Sequence, residues 1–382
     1  MSVTAKVTIA CGSTGPLGEM VHAQRLAEHL REPGIEVSIR AAAGSDATLP
    51  RPGSVPVDVA TVSATADARA RASELAQALE GSDAPDVVVA EDVVSGLAAI
   101  ELRERRPGVR VIRTIHHLDA THELDSQEDQ RLSVEGADAC VCVSGYWAGR
   151  VREELGVQAT VIANGVEHAA FAAPALDRRT ARSRLGWGER PVVLSVGGVD
   201  ARKGSLTLLE AFARARGRIG DEALLAIVGG PPPPERYLAR FLDEAERLGV
   251  VASRGRADGA SLVLMETLPQ GAMPGLYRAA DAFALPSTRE GFGLAALEAA
   301  ASGLPIVLSD LAVFRERFHH DADCLMVPVG DPGALSDALV RVVHDRELAG
   351  RLGAAAQAMA AHFTWSAAAA GYARLIEGLA GG

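Results

Sequence analysis

The sequence predicts an α/β protein built from two doubly wound, Rossmann-like domains facing each other across a crevice. Three observations carry this. Short, nearly uninterrupted apolar runs recur through the 382 residues, as at 192–196 and 224–228; such strands are buried on both faces, as in parallel sheets covered by helices. Stretches with helical spacing separate the runs. At about 169–190 the composition shifts to Ala, Pro and Arg before a new strong strand, which marks a domain boundary.

In the first half, a strand over 6–11 leads through the small-residue segment 12–18 to a helix over 19–31, spaced by Met20, Leu26, Ala27 and Leu30. A strand over 35–39 follows, and 42–62, rich in Ala, Pro, Gly and Ser, reads as an irregular edge. A helix over 68–80 precedes strands over 86–90, 110–114 and 139–143, the last followed by a helix to about Leu155. A strand over 160–162 closes this half at the turn Asn164-Gly165-Val166, where Gly tolerates positive φ and Asn mimics a backbone partner. The second half cycles more regularly. Strands are expected over 192–196, 224–228, 282–285 and 306–308, helices over 206–216, 235–248, 294–302 and 332–344, and a last amphipathic helix over 365–379.

Composition excludes several classes. With 38 basic and 49 acidic residues the net charge is −11, which argues against broad capture of nucleic acid. No basic amphipathic face argues for membrane contact. Cys140 and Cys142 alternate with valines and read, like the scattered Cys11 and Cys324, as small buried residues rather than metal ligands or a redox pair. No leader pattern and no apolar window of about 18 residues is present, so a soluble, cytoplasmic protein is expected.

In open parallel sheets ligands bind beyond the carboxyl ends of strands, so the residues after each strand are read for chemistry. Gly12-Ser13-Thr14-Gly15-Pro16-Leu17-Gly18 follows the first strand. It is either a tight turn or a loop whose backbone approaches a phosphate or sugar, with Ser13 and Gly15 as contacts. Its spacing is not a dinucleotide fingerprint, and Arg40 stands where a nicotinamide site has an acid, which disfavours a dehydrogenase. His116-His117 end another strand, with Asp119, His122, Glu123, Asp125, Glu128 and Asp129 behind them. They lack metal-ligand spacing, so one histidine facing a polar crevice is expected and no metal. Ser144 and Asn164 sit at the same sheet edge.

Gly197-Gly198-Val199-Asp200-Ala201-Arg202-Lys203-Gly204 ends a strand and begins a helix. The helix N-terminus and the two adjacent cations point to a bound diphosphate. Lys203 is one of only two lysines, the other being Lys6, so its place here carries weight. The sharpest feature is Arg289-Glu290-Gly291-Phe292-Gly293-Leu294, with Glu298 one turn into the next helix. Amides of Gly291, Phe292, Gly293 and Leu294 lie between two carboxylates, each able to accept a pair of sugar hydroxyls.

Together these segments resemble the retaining glycosyltransferases of family GT4, which have the GT-B architecture. The resemblance rests on Leu276-Tyr277-Arg278-Ala279-Ala280-Asp281, the run Pro286 to Leu294, Leu297-Glu298-Ala299, Ser302-Gly303-Leu304-Pro305 and Ser309-Asp310, with Glu290 and Glu298 forming the E-x7-E pattern. Asn164-Gly165-Val166 and Phe363-Thr364-Trp365 add to it. The resemblance implies an acceptor-side domain over 1–170, a nucleotide-sugar domain over 171–362 and a helix over 363–382 that crosses back. It implies that Glu298 binds ribose hydroxyls, Glu290 holds sugar hydroxyls, Lys203 neutralises the diphosphate, and His116 orients the donor sugar. The loop 12–18 lies against the diphosphate or acceptor, Glu316 matches a recurrent glutamate, and no cofactor or divalent metal is needed. One departure stands out: Gly198 occupies the place of a family arginine that pairs with the diphosphate, and Arg202 is long enough to reach the same space.

The implied function is transfer of a sugar from a nucleoside-diphosphate sugar to an unidentified acceptor hydroxyl with retention. A nucleotide-sugar epimerase of the same architecture, drawing on His117, Asp119 and Glu123, and a non-catalytic nucleotide-sugar-binding protein are the alternatives.

Overall fold

The computed structural model describes residues 5–15, 18–31, 35–44, 55–63, 67–81, 84–118, 126–230, 232–257 and 259–380. The chain forms two compact units: Met1–Gly165 with Trp365–Gly382, and Val166–Thr364.

The first unit is a seven-stranded sheet of β1 (Ala5–Cys11), β2 (Ile35–Ala43), β3 (Val57–Thr61), β4 (Val87–Ala90), β5 (Arg110–Ile115), β6 (Ala139–Cys142) and β7 (Thr160–Val161), ordered β3-β2-β1-β4-β5-β6-β7. All pairings are parallel. β1 pairs with β2 on one side, Val7 opposite Val37, and with β4 on the other, Val7 opposite Val87. The strand order therefore reverses between β1 and β4. Every residue of β4 is buried, and helices Ala68–Leu79 and Val93–Arg105 cover the face of Val88 and Ala90 with Ala72, Leu75, Ala98 and Leu102. Asp92 starts the second of these helices with a reciprocal capping box to Ser95.

The second unit repeats the plan with β8 (Val192–Val196), β9 (Leu224–Val228), β10 (Ala252–Arg254), β11 (Leu262–Met265), β12 (Ala282–Leu285), β13 (Ile306–Ser309) and β14 (Leu325–Val327), again parallel, in the order β10-β11-β9-β8-β12-β13-β14. Its reversal falls between β8 and β12. Leu208, Leu209 and Phe212 of helix Ser205–Ile219 share a core with Val193, Leu225 and Leu339.

Four strands escape sequence reading. β3 lies where an irregular edge is expected, while residues 45–54 of that stretch are outside the described residues. β10, β11 and β14 have only three or four residues each, too few for a periodic signal. Helices Val93–Arg105 and Arg346–Ala360 were likewise not anticipated; the first buries several sides and so shows no clear stripe. Helix Trp365–Ala380 belongs to the first unit and packs on helix Gly18–Leu30, with the rings of Trp365 and Tyr372 against His22. The four cysteines are free and buried. Among the described residues no helix is long and apolar enough to cross a membrane.

Candidate functional site

In the second unit the loops after β8 and β12 interlock. Asp200 Oδ1 accepts from the amides of Arg202 and Lys203 at 2.6 and 3.1 Å, forming a turn that presents both cations. Arg202 O accepts from Thr288 N at 2.8 Å. Gly204 then starts the helix at φ 68°, where a Cβ would lie 2.1 Å from Pro286 O; only glycine permits this approach. The result brings Lys203 Nζ to 2.6 Å from Glu290 Oε1, which also accepts from Ser287 Oγ at 2.7 Å. An Arg202 nitrogen lies 3.7 Å from Glu290 Oε2. Glu290 is 6% exposed. Burial pushes its carboxyl up, but Lys203, Arg202 and Ser287 together outweigh burial and hold it below the usual range.

Gly293 caps helix Leu294–Ala301 in the left-handed conformation, and no side chain caps that end. The turn before it is clamped from beneath: the Arg317 guanidinium stacks 3.9 Å from the Phe292 ring centre and donates to Phe292 O and Val313 O. Burial lowers Arg317 to about 10. Glu298 is half-buried, and Tyr277 OH, on helix Met273–Ala279, donates to its Oε2 at 2.7 Å. Burial first, and then Glu298, push the Tyr277 phenol well up, so it stays a donor.

Gly198 has a structural reason. At φ 81° a Cβ on it would meet Gly229 O at 2.4 Å. Gly197-Gly198 after β8 and Gly229-Gly230 after β9 thus pack backbone to backbone, and no arginine fits at 198 in this conformation. The Lys203 stem lies over Gly197 instead, 3.0 Å from where its Cβ would be.

In the first unit the corresponding position belongs to Glu91, directly after β4 and 1% exposed. Its Oε2 lies 2.9 Å from His22 Nδ1 and 2.8 Å from His116 Nε2. Burial pushes the carboxyl up, yet the two histidines outweigh it and hold it at about 2. An ionised carboxylate only accepts, so both ring nitrogens donate. Burial lowers His116 against the opposing pull of Glu91. The three side chains bring one ligand atom each within 4.8 Å of one another, a donor set of the kind that holds transition metals. Alongside, the Gly12 amide donates to the Asp92 carboxylate and Arg71 donates to Gly12 O at 2.6 Å, tying the first loop to β4. Gly15 N reaches Ser13 Oγ at 3.2 Å.

The expected residues divide between the units: Ser13, Gly15 and His116 lie in the first, and Gly198, Arg202, Lys203, Glu290 to Leu294 and Glu298 in the second. His116 holds Glu91, while His117 Nε2 lies 4.0 Å from Glu19. Asp119, His122, Glu123 and Asp125, with Pro16 and Leu17, fall outside the described residues. Sequence reasoning missed Glu91, His22, Ser287 and Arg317, and did not see Tyr277 as the partner of Glu298. The signal for Glu91 was available: it is an acid immediately after an all-apolar strand.

Residues 18–170 match the family model described as Glycosyltransferase Family 4, and residues 177–359 that described as Glycosyl transferases group 1. The chain belongs to these family 4 glycosyltransferases of GT-B architecture. Similar curated proteins include D-inositol 3-phosphate glycosyltransferase of Corynebacterium glutamicum, 34% identical over 52% of this chain and 46% of that protein. Another is the GDP-mannose-dependent alpha-(1-6)-phosphatidylinositol monomannoside mannosyltransferase of Mycobacterium tuberculosis, 30% identical over 64% of this chain and 63% of that protein. The chain thus spans between about half and two-thirds of the length of these relatives. Among solved structures, Anabaena HepE in complex with UDP and glucose has a TM-score of 0.80 at 18% identity, covering 98% of this chain and 99% of that one. Sucrose-phosphate synthase from Thermosynechococcus elongatus has a TM-score of 0.81 at 20% identity, covering 98% and 99%. At these identities the likeness establishes the fold.

Proposed function

We propose that this protein is a retaining glycosyltransferase that moves a sugar from a nucleoside-diphosphate sugar to an acceptor hydroxyl, the second unit binding the donor and the first meeting the acceptor. The observation that carries the reading is the buried Glu290 held between Lys203 and Arg202 beside the helix start at Gly293. On this reading Lys203, Arg202 and the amides of residues 291–294 receive the diphosphate, Glu298 the ribose and Glu290 the sugar hydroxyls. His116, Ser13 and Gly15 are the first unit's contacts to substrate on this reading. The glycine doublet at 197–198 lets backbone, rather than a side chain, approach the phosphates.

The ion pair gives the chemistry an order. A diphosphate arriving at Lys203 competes with Glu290 for the ammonium, and the released carboxylate oxygen is then available to sugar hydroxyls. The bond from the anomeric carbon to the diphosphate oxygen breaks, and its electron pair leaves with the diphosphate. Negative charge grows there in the transition state, where Lys203, Arg202 and the amides stabilise it most. The acceptor oxygen attacks from the same face, and its proton passes to the departing diphosphate. Glu290 and Glu298 act as holders, and no residue takes a nucleophile's role.

The test is a panel of UDP-, GDP- and ADP-sugars, reading thermal stabilisation and slow donor hydrolysis, with inositol phosphates among the acceptors because both named relatives carry inositol in their names. At least one donor stabilises the wild type, and Lys203→Ala and Glu298→Ala lose that effect. Stabilisation by none of them removes the reading. A cytoplasmic location goes with it and is checked by cell fractionation.

A further inference from the structure

The buried cluster in the first unit has a direction built into it. His22 and His116 both aim at one oxygen of Glu91, Oε2, while Oε1 is buried with no hydrogen-bond partner among the described residues. A carboxylate used through a single oxygen by two imidazoles is a poor way to satisfy a core acid, which costs least when both oxygens are bonded. It is a good way to fix two ring tautomers at once. His22 is itself wedged edge-on between three rings: His116 at 5.1 Å, Trp365 at 5.6 Å and Tyr372 at 5.8 Å. Tyr372 is anchored in turn by Thr114 Oγ1 at 2.8 Å, two residues before His116. Four elements therefore hold Glu91 and its two donors: the helices at residues 18–30 and 365–380, and the ends of β4 and β5.

We propose that Glu91 is a positioning residue for the reaction: by accepting the Nε2 proton of His116 it fixes that ring as the Nε2–H tautomer, leaving Nδ1 as a lone-pair acceptor for a substrate hydroxyl. The second half of this statement rests on the substrate-contacting role given to His116 above; the first half stands on geometry alone. The logic is that of any imidazole whose working nitrogen is set by the bond its other nitrogen makes. His116 makes no hydrogen bond through Nδ1 among the described residues. The charged and titratable groups around the pair are His22 from the first helix, Asp92 after β4, Arg113 on β5, Cys11 on β1 and Tyr372 on the last helix. Arg113 is committed to Ala90 O, Thr114 O and Ser133. A guanidinium only donates, so Arg113 cannot take over Glu91's part as acceptor.

The experiment is nitrogen NMR of histidine-labelled full-length protein, with the His116 signal assigned by its loss in His116→Gln. The wild type at pH 7.5 shows a neutral ring protonated at Nε2. In Glu91→Leu the signal moves toward the Nδ1–H form or a mixture, and turnover falls at least about tenfold while KM for the donor changes little. Glu91→Gln keeps an acceptor oxygen and sits between the two. Thermal melting shows that each variant is folded, and the wild-type spectrum decides the tautomer even if Glu91→Leu does not fold. An Nδ1–H tautomer in the wild type, or an unchanged His116 signal in folded Glu91→Leu, overturns the proposal. So does a stoichiometric metal in the purified protein that is lost in Glu91→Gln, because the nitrogens would then be ligands. If the spectra agree but no nucleotide sugar binds, the tautomer assignment stands and the transferase reading falls.

Discussion

Each unit sets a buried carboxylate beside the point where its strand order reverses, Glu91 after β4 and Glu290 after β12, and the two are surrounded by different chemistry. Glu91 is met by two imidazoles through one oxygen; Glu290 is met by an ammonium, a guanidinium and a hydroxyl. Histidine changes charge near neutrality, whereas ordinary lysine and arginine side chains keep theirs through that range. The same topological niche has thus been fitted once for a fixed countercharge and once for a proton that can be placed. On the proposed function a diphosphate uses the first, and a hydroxyl that must be oriented uses the second.

Breaking the fixed charge should have the largest effect. Lys203→Ala is expected to lower turnover about 10²- to 10³-fold, the loss seen when one charge-stabilising donor is removed, read as nucleoside diphosphate released. Acid sharpens the comparison next. His116 is held below the ordinary histidine value in the folded chain, so its contribution is complete above about pH 6.5 and is lost as pH falls below that. Glu91 adds a second loss, on the order of 3 kcal/mol, as pH falls from its ordinary 4.5 toward about 2. Glu290, also lowered, begins to lose its contribution only in the same acid range as Glu91. Between pH 7 and 5, then, amides of β4 and β5 should lose hydrogen-exchange protection while those of β8 and β12 keep theirs. Equal loss in both units would erase the distinction.

Two smaller effects lie inside the second unit. Gly198→Arg should destabilise it by about 2 kcal/mol, since the residue must hold a positive φ with its Cβ against Gly229 O. A lower melting temperature without tighter nucleoside diphosphate binding is expected; tighter binding would show that the loop can open to take the side chain. Tyr277→Phe should weaken nucleoside diphosphate binding by about 1 kcal/mol, the value of one hydrogen bond to Glu298. Inhibition by pyrophosphate, which has no ribose, should be unchanged.

The second site was far more legible than the first. Lys203, Glu290 and Glu298 follow strands directly or sit within a turn of a glycine loop, so local spacing brings them forward. Glu91 meets partners 69 and 25 residues away. In sequence His22 looks like one polar residue on an amphipathic helix. Its burial becomes visible only when the helix at residues 365–380 is laid beside it. Arg317 was hidden for the opposite reason: it lies among charged residues that read as surface, while its guanidinium is spent under Phe292. The glycine pairs at 197–198 and 229–230 each looked like an ordinary turn, and only their contact explains why neither tolerates a side chain.

The returning helix also imposes a timetable. The chain leaves the first unit at Gly165, builds all of Val166–Thr364, and re-enters at Trp365, with Val166 N bonded to Phe363 O where the two passages meet. Trp365 and Tyr372 enclose His22, so the pocket around Glu91 stays unfinished on the ribosome until the whole second unit has been translated. The half of the protein made first is completed last, and during synthesis its acid is left without the wall that keeps water away.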